Sequence, residues 1–141
     1  RGLVYSIFSG NIFLEDTGIF GIIAGTGNNK IKELIPALCD ELINSPKNLS
    51  EEEILKAKAK LKFSLVKSLE SCRTNAGSCA DDLLNYNRII EVEEQLEKIN
   101  KVSKDSIQKV VTQMLSSNPT IASIGPIKNL EKLENLRSRF F

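Results

Sequence analysis

Two apolar runs near the start of the chain, joined by a short polar turn, constrain the fold more than any other feature. The first is Arg1-Gly2-Leu3-Val4-Tyr5-Ser6-Ile7-Phe8-Ser9; the second is Ile19-Phe20-Gly21-Ile22-Ile23-Ala24-Gly25, with Glu15-Asp16-Thr17-Gly18 between them. Their β-branched and aromatic content predicts two antiparallel strands. Both are nearly continuous in apolar residues, which predicts a sheet covered over much of both faces. The sequence opens inside the first run, and a strand without a neighbour leaves backbone donors and acceptors unsatisfied. The expectation is therefore a surviving part of a larger polypeptide.

Helical spacing takes over after Gly27. Asn28 or Asn29 is placed to cap a helix carrying Ile31, Leu34, Ile35, Leu38 and Leu42 at three-and-four intervals. Pro36 falls inside that pattern and predicts a kink, while residues 45–48 read as a loop. Ser50 followed by Glu53 forms a capping box, and Glu51 to Glu53 suit the positive end of a helix dipole. That helix is expected to reach about Ser71, with Ile54, Ala57, Leu61, Leu65 and Leu69 on one stripe. Lys56, Lys58, Lys60, Lys62 and Lys67 spread over the rest, as on a solvated surface.

Shorter helices are predicted over 76–86 and 92–99, then one capped by Ser103 with Ile107, Val110, Val111, Met114 and Leu115 facing inward. Asn118-Pro119 ends it. Residues 120–125 read as a late strand closed by Pro126, and residues 130–139 as a terminal helix. The order of hairpin, helices and late strand predicts an α+β fold, a mostly antiparallel sheet with several helices packed on it. No repeat or linker interrupts residues 1–141, so one domain is expected.

Composition narrows the chemistry. With a net charge of +1, no global field draws in nucleic acid or an anionic membrane. Two Tyr, six Phe and no Trp leave little aromatic surface for stacking bases. No apolar run reaches the roughly 20 residues of a membrane-spanning helix. The absence of histidine removes His bases, His-paired nucleophiles and His-containing zinc sites. Cys39, Cys72 and Cys79 match no common zinc spacing, and their odd number fits a reducing compartment. On one helix, Cys72 and Cys79 would sit about 10 Å apart, too far for a disulfide. Gly25-Thr26-Gly27 lacks the Walker ending and the third glycine of a dinucleotide loop, and reads as a plain strand-to-helix turn. Neither a catalytic residue nor a metal site is predicted within this chain.

Four segments, in this order, resemble the C-terminal half of the inverted-zinc-motif metallopeptidases, the pitrilysin and mitochondrial processing peptidase family. They are Arg1-Gly2-Leu3-Val4-Tyr5-Ser6 with Asp16-Thr17-Gly18-Ile19-Phe20-Gly21; residues 52–71; residues 79–90 ending Leu84-Asn85-Tyr86-Asn87-Arg88; and Ala122-Ser123-Ile124-Gly125-Pro126. The third looks most like the processing-peptidase branch. The resemblance implies one half of a clamshell built from homologous α+β domains, with this chain a single, partial C-terminal domain. It implies zinc held by H-x-x-E-H in the N-terminal half, none here, and a parent that is a peptidase while this chain alone is inactive. It implies a role in closing the chamber and contacting extended peptide, with Tyr5 as the substrate-contacting residue. The family pairs that tyrosine with an arginine seven residues upstream, a position preceding Arg1; Arg1 itself does not match it. Implied partners are the N-terminal catalytic half or a homologous subunit, and peptide substrate, in a bacterial cytoplasm or mitochondrial matrix. The alternative is a zinc-less scaffold subunit of the same fold, as in respiratory-complex core proteins. Acidic residues around Glu91, Glu93, Glu94 and Glu97 either attract basic peptides or form a solvated helix face.

Overall fold

The computed structural model describes residues 2–14 and 16–140. Arg1, at the head of the first run, and Glu15, in the predicted turn, lie outside the described residues. The hairpin forms as β1 (Ser6–Phe13) and β2 (Gly18–Gly25), antiparallel, with register running from Ser6↔Gly25 to Phe13↔Gly18. The Leu14 amide donates to the Thr17 carbonyl across the turn at 2.9 Å. Residues 2–4 are irregular and Tyr5 is a bend, so β1 starts later than the apolar run. Gly2 takes a φ of 58°, a left-handed conformation that breaks the strand before it begins.

Among the described residues six helices follow: α1 (Ile31–Asn48), α2 (Glu51–Ser68), α3 (Cys72–Tyr86), α4 (Val92–Lys101), α5 (Lys104–Leu115) and α6 (Leu133–Phe140). The chain divides into two compact units, residues 1–48 with 108–141, and residues 49–107.

In the first unit the hairpin is joined by α1, most of α5 and α6. The chain enters α1 through a backbone turn, in which the Lys30 amide donates to the Gly27 carbonyl at 2.9 Å. Helix α1 runs on through Pro36 and Pro46 to Asn48, correcting the loop expected at 45–48. The terminal carbonyls of a helix have no intrahelical partner anyway, and Gln108 Nε2 donates to the Pro46 carbonyl at 3.1 Å. Helices α1 and α6 pack together, burying Leu34, Cys39 and Leu136.

The second unit contains α2, α3, α4 and the start of α5. The capping box is formed as the sequence requires. The Glu53 amide donates to Ser50 Oγ at 3.2 Å, and the Ser50 amide donates to Glu53 Oε2 at 2.9 Å. Ser71 caps α3 by accepting from the Thr74 amide, and Asn87 ends it in the left-handed region at φ 54°. Helix α2 packs on α4 and buries Ile54. Lys58 and Lys104 donate to the carbonyls of Asn100 and Leu49, adding long-range ties within this unit.

The class is α+β, but the balance differs from the expectation. Among the described residues the sheet has two strands, and helices dominate. Residues 120–124 are not a strand. They make no backbone hydrogen bonds among the described residues, because a groove separates them from β2 and no strand lies alongside to pair with. A β-propensity run becomes a strand only when a neighbour takes its hydrogen bonds.

The accessible surface is 11013 Å². A compact chain of this length would expose about 7,300 Å², and two separate compact bodies of the two units' lengths about 8,700 Å². Large apolar side chains are among the exposed residues, including Phe8, Phe13, Ile23, Phe63, Leu84 and Ile124.

Candidate functional site

Tyr5 stands where the first run enters the hairpin. Its amide donates to the Gly25 carbonyl at 2.8 Å, one residue before β1 begins. Next to it, Thr26 Oγ1 donates to the Leu3 carbonyl at 2.6 Å, tying the irregular residues to the end of β2. The backbone of Tyr5 is thus held on both sides while its side chain is 86% exposed. The hydroxyl lies over Gly27, where a Cβ would stand 3.1 Å from the Tyr5 oxygen and 3.0 Å from Asn29 Oδ1. Gly27 is therefore the residue that lets the phenol take this position. The sequence signal for it was Gly25-Thr26-Gly27, legible as a turn but silent about what packs over it. A phenolic hydroxyl placed this way can donate to a carbonyl or to an oxyanion, and it has no protein acceptor among the described residues.

Two of the four acidic residues, Glu94 and Glu97, are committed locally. Arg88 binds Glu94 in a bidentate pair at 2.7 and 2.8 Å, and Lys98 adds a contact at 2.9 Å. Those donors hold the Glu94 carboxyl far below the usual carboxylate range, at about 2, with the Arg88 hydrogen bonds the larger cause. Glu97 pairs with Lys101 at 3.6 Å. Glu94 and Glu97 thus carry their own counterions, as expected of a solvated helix face rather than a basic-peptide site. Lys56 is similarly paired with Glu52 at 2.6 Å.

Of the cysteines, Cys39 is buried, Cys79 half-buried and Cys72 exposed. All three are free, and Cys72 and Cys79 share α3. Cys39 is 2% exposed, and burial pushes its thiol up against the opposing pull of Arg139. Among the described residues no group of three or more His, Cys, Asp or Glu side chains is placed to hold a metal ion.

Residues 1–61 match the family described as the peptidase M16 inactive domain. An uncharacterized zinc protease of Rickettsia felis is 30% identical over 125 residues, covering 89% of this chain and 30% of that protein. The mitochondrial-processing peptidase subunit beta of Homo sapiens is 26% identical over 137 residues, covering 96% of this chain and 28% of that protein. In fold, a chain of complex III2 from Candida albicans, solved with Inz-5 bound, superposes with a TM-score of 0.87 at 22% identity, covering 97% of this chain and 33% of that one. The chain spans under a third of the length of these relatives.

Proposed function

Since the chain belongs to the peptidase M16 family, on its inactive C-terminal side, we propose that it is the non-catalytic domain of a longer zinc endopeptidase and contacts extended peptide substrate. The observation that carries this reading is Tyr5, backbone-anchored and side-chain exposed, with its hydroxyl uncommitted over Gly27. In that role the domain forms one half of a clamshell and closes the peptide chamber. Zinc belongs to the N-terminal half or to a homologous partner subunit; this chain contributes no ligand. Its own contribution is a hydrogen bond from the Tyr5 hydroxyl to a substrate carbonyl. That bond accelerates the reaction only where it strengthens as negative charge develops on the oxygen. Relatives among bacterial zinc proteases and mitochondrial processing peptidases support a bacterial cytoplasm or mitochondrial matrix as the compartment.

A second reading rests on the fold match to complex III2: the same fold in a zinc-less scaffold subunit. One experiment separates them. The complete protein is assayed for zinc content and for hydrolysis of a presequence-like peptide, with and without Tyr5→Phe. The peptidase reading expects zinc, hydrolysis, and a fall in kcat/KM in the variant with zinc unchanged. A protein without zinc or hydrolysis, alone and with its partner subunit, supports the scaffold reading and overturns the first.

A further inference from the structure

Helix α6 packs on α1, and between them they bury Leu34, Cys39 and Leu136. Glu131 and Arg139, at the two ends of this segment, both act electrostatically on the Cys39 thiol, so the segment lies over it. We propose that residues 127–140 form a detachable strap, which lifts from α1 as a preformed unit and so gates the Cys39 thiol to small electrophiles. The proposal is independent of the peptidase reading, because it uses neither Tyr5 nor zinc.

The pattern of polar contacts carries the argument. Among the described residues from 118 onward, every hydrogen bond and ion pair is made within the segment itself. The Leu130 amide donates to the Ile127 carbonyl at 2.9 Å, and the Asn135 and Leu136 amides to the Lys132 carbonyl at 3.1 and 3.3 Å. Ser138 Oγ donates to the Asn135 carbonyl at 2.8 Å. Arg139 Nη2 donates to Glu131 Oε1 at 3.0 Å, a clasp between residues eight apart that closes the segment on itself. No polar group joins it to α1. Helix α5, by contrast, is tied to α1 through Gln108 and the Pro46 carbonyl. Apolar burial around Leu136 therefore holds the strap down, and burial of that kind is not directional. Lifting it breaks no hydrogen bond, so the strap keeps its own structure when it leaves.

One atom favours release. The Glu131 side chain is 15% exposed, and its Oε2 is buried without a partner. A buried carboxylate oxygen left unpaired costs free energy that water restores once the strap lifts. The closed arrangement thus carries a cost that the open one does not.

The thiol is the group whose chemistry changes. Three charged groups face it, and Glu131 and Asp40 oppose Arg139, while burial is the largest influence and keeps the proton on sulfur. Release removes that burial, giving the thiol access to solvent and to its reactive thiolate form together.

The test uses the complete protein and N-ethylmaleimide, with the adducts at Cys39 and Cys72 quantified separately by peptide mass. Cys72, exposed on α3, serves as the internal standard. Cys39 should react more slowly than Cys72, at a rate that stays flat in urea well below the unfolding midpoint. A local opening exposes little surface, whereas global unfolding accelerates steeply with denaturant. Leu136→Ala removes the anchor and should raise the Cys39 rate by about tenfold or more, with Cys72 unchanged. Arg139→Gln loosens the clasp and should raise it by about threefold, and Arg139→Lys should restore most of that loss. These two variants keep the test open if Leu136→Ala misfolds. In the Cys39 adduct, the amides of α6 should exchange faster while those of α2 are unchanged. Three results would overturn the proposal. They are a Cys39 rate with the urea slope of global unfolding, a rate unmoved by Leu136→Ala or by Arg139→Gln, and α6 amides as protected in the adduct as in the unmodified protein.

Discussion

The Tyr5 hydroxyl and its seat over Gly27 are separable by substitution. In the complete protein Tyr5→Phe deletes only the hydroxyl, so zinc content and melting temperature should hold. If the hydroxyl donates to a developing oxyanion, kcat/KM should fall by about 10²-fold or more. A loss confined to KM would mean ground-state binding, and wild-type kinetics would make Tyr5 a packing residue. Gly27→Ala keeps the hydroxyl and moves it, because the added Cβ would crowd the ends of two flexible side chains, Tyr5 and Asn29. It should lower kcat/KM by less than Tyr5→Phe, with little change in melting temperature. Glu94 offers a residue-scale test of a different kind. Its folded pKa, about 2, lies below the ordinary glutamate value of 4.5. Its contribution to stability is therefore present above pH 4.5 and is lost as pH falls toward 2. Urea unfolding of wild type and Glu94→Gln should differ at neutral pH and converge over that window. A difference independent of pH would contradict the ion-pair assignment.

At the scale of elements, the capping box of α2 is the most locally determined feature of the chain. Ser50→Ala should destabilise the second unit by about 1 kcal/mol, read from helical circular dichroism during unfolding. The box was legible in the sequence because its partners are three residues apart, and the hairpin because β1 and β2 are consecutive. Elements that depend on distant partners were legible less well. Residues 120–125 have strand composition, but strand formation requires a neighbour that composition does not name, and here the facing edge of β2 is across a groove. The end of α1 is poorly legible in the sequence for a related reason. Pro46 signals a break locally, while the donor to its carbonyl, Gln108, is 62 residues away. The Arg88–Glu94 pair likewise needed the turn between α3 and α4 before its geometry could be seen. At the candidate site, Tyr5 is legible only through resemblance to a family motif. Its support by Thr26 and Gly27 came from the fold alone, because those residues meet it only when the hairpin closes.

Many large apolar side chains of the described residues are exposed, and such surface favours association. On the hairpin alone Phe8, Ile12, Phe13 and Ile19 are exposed. In isolation the 141-residue chain should self-associate through this face, and Phe13→Lys should shift sedimentation toward monomer. A strictly monomeric wild type at high concentration would contradict that expectation. Cover for these surfaces is what the proposed chamber-closing role supplies, from the catalytic half or a partner subunit. The most direct measurement is peptide hydrolysis and bound zinc in the complete protein, before and after removal of the segment corresponding to residues 1–141. A non-catalytic domain that closes the chamber leaves about one zinc per catalytic half after its removal and takes hydrolysis with it. Loss of zinc with the segment, about one zinc held by the isolated 141-residue chain, or hydrolysis undiminished without it would contradict that role.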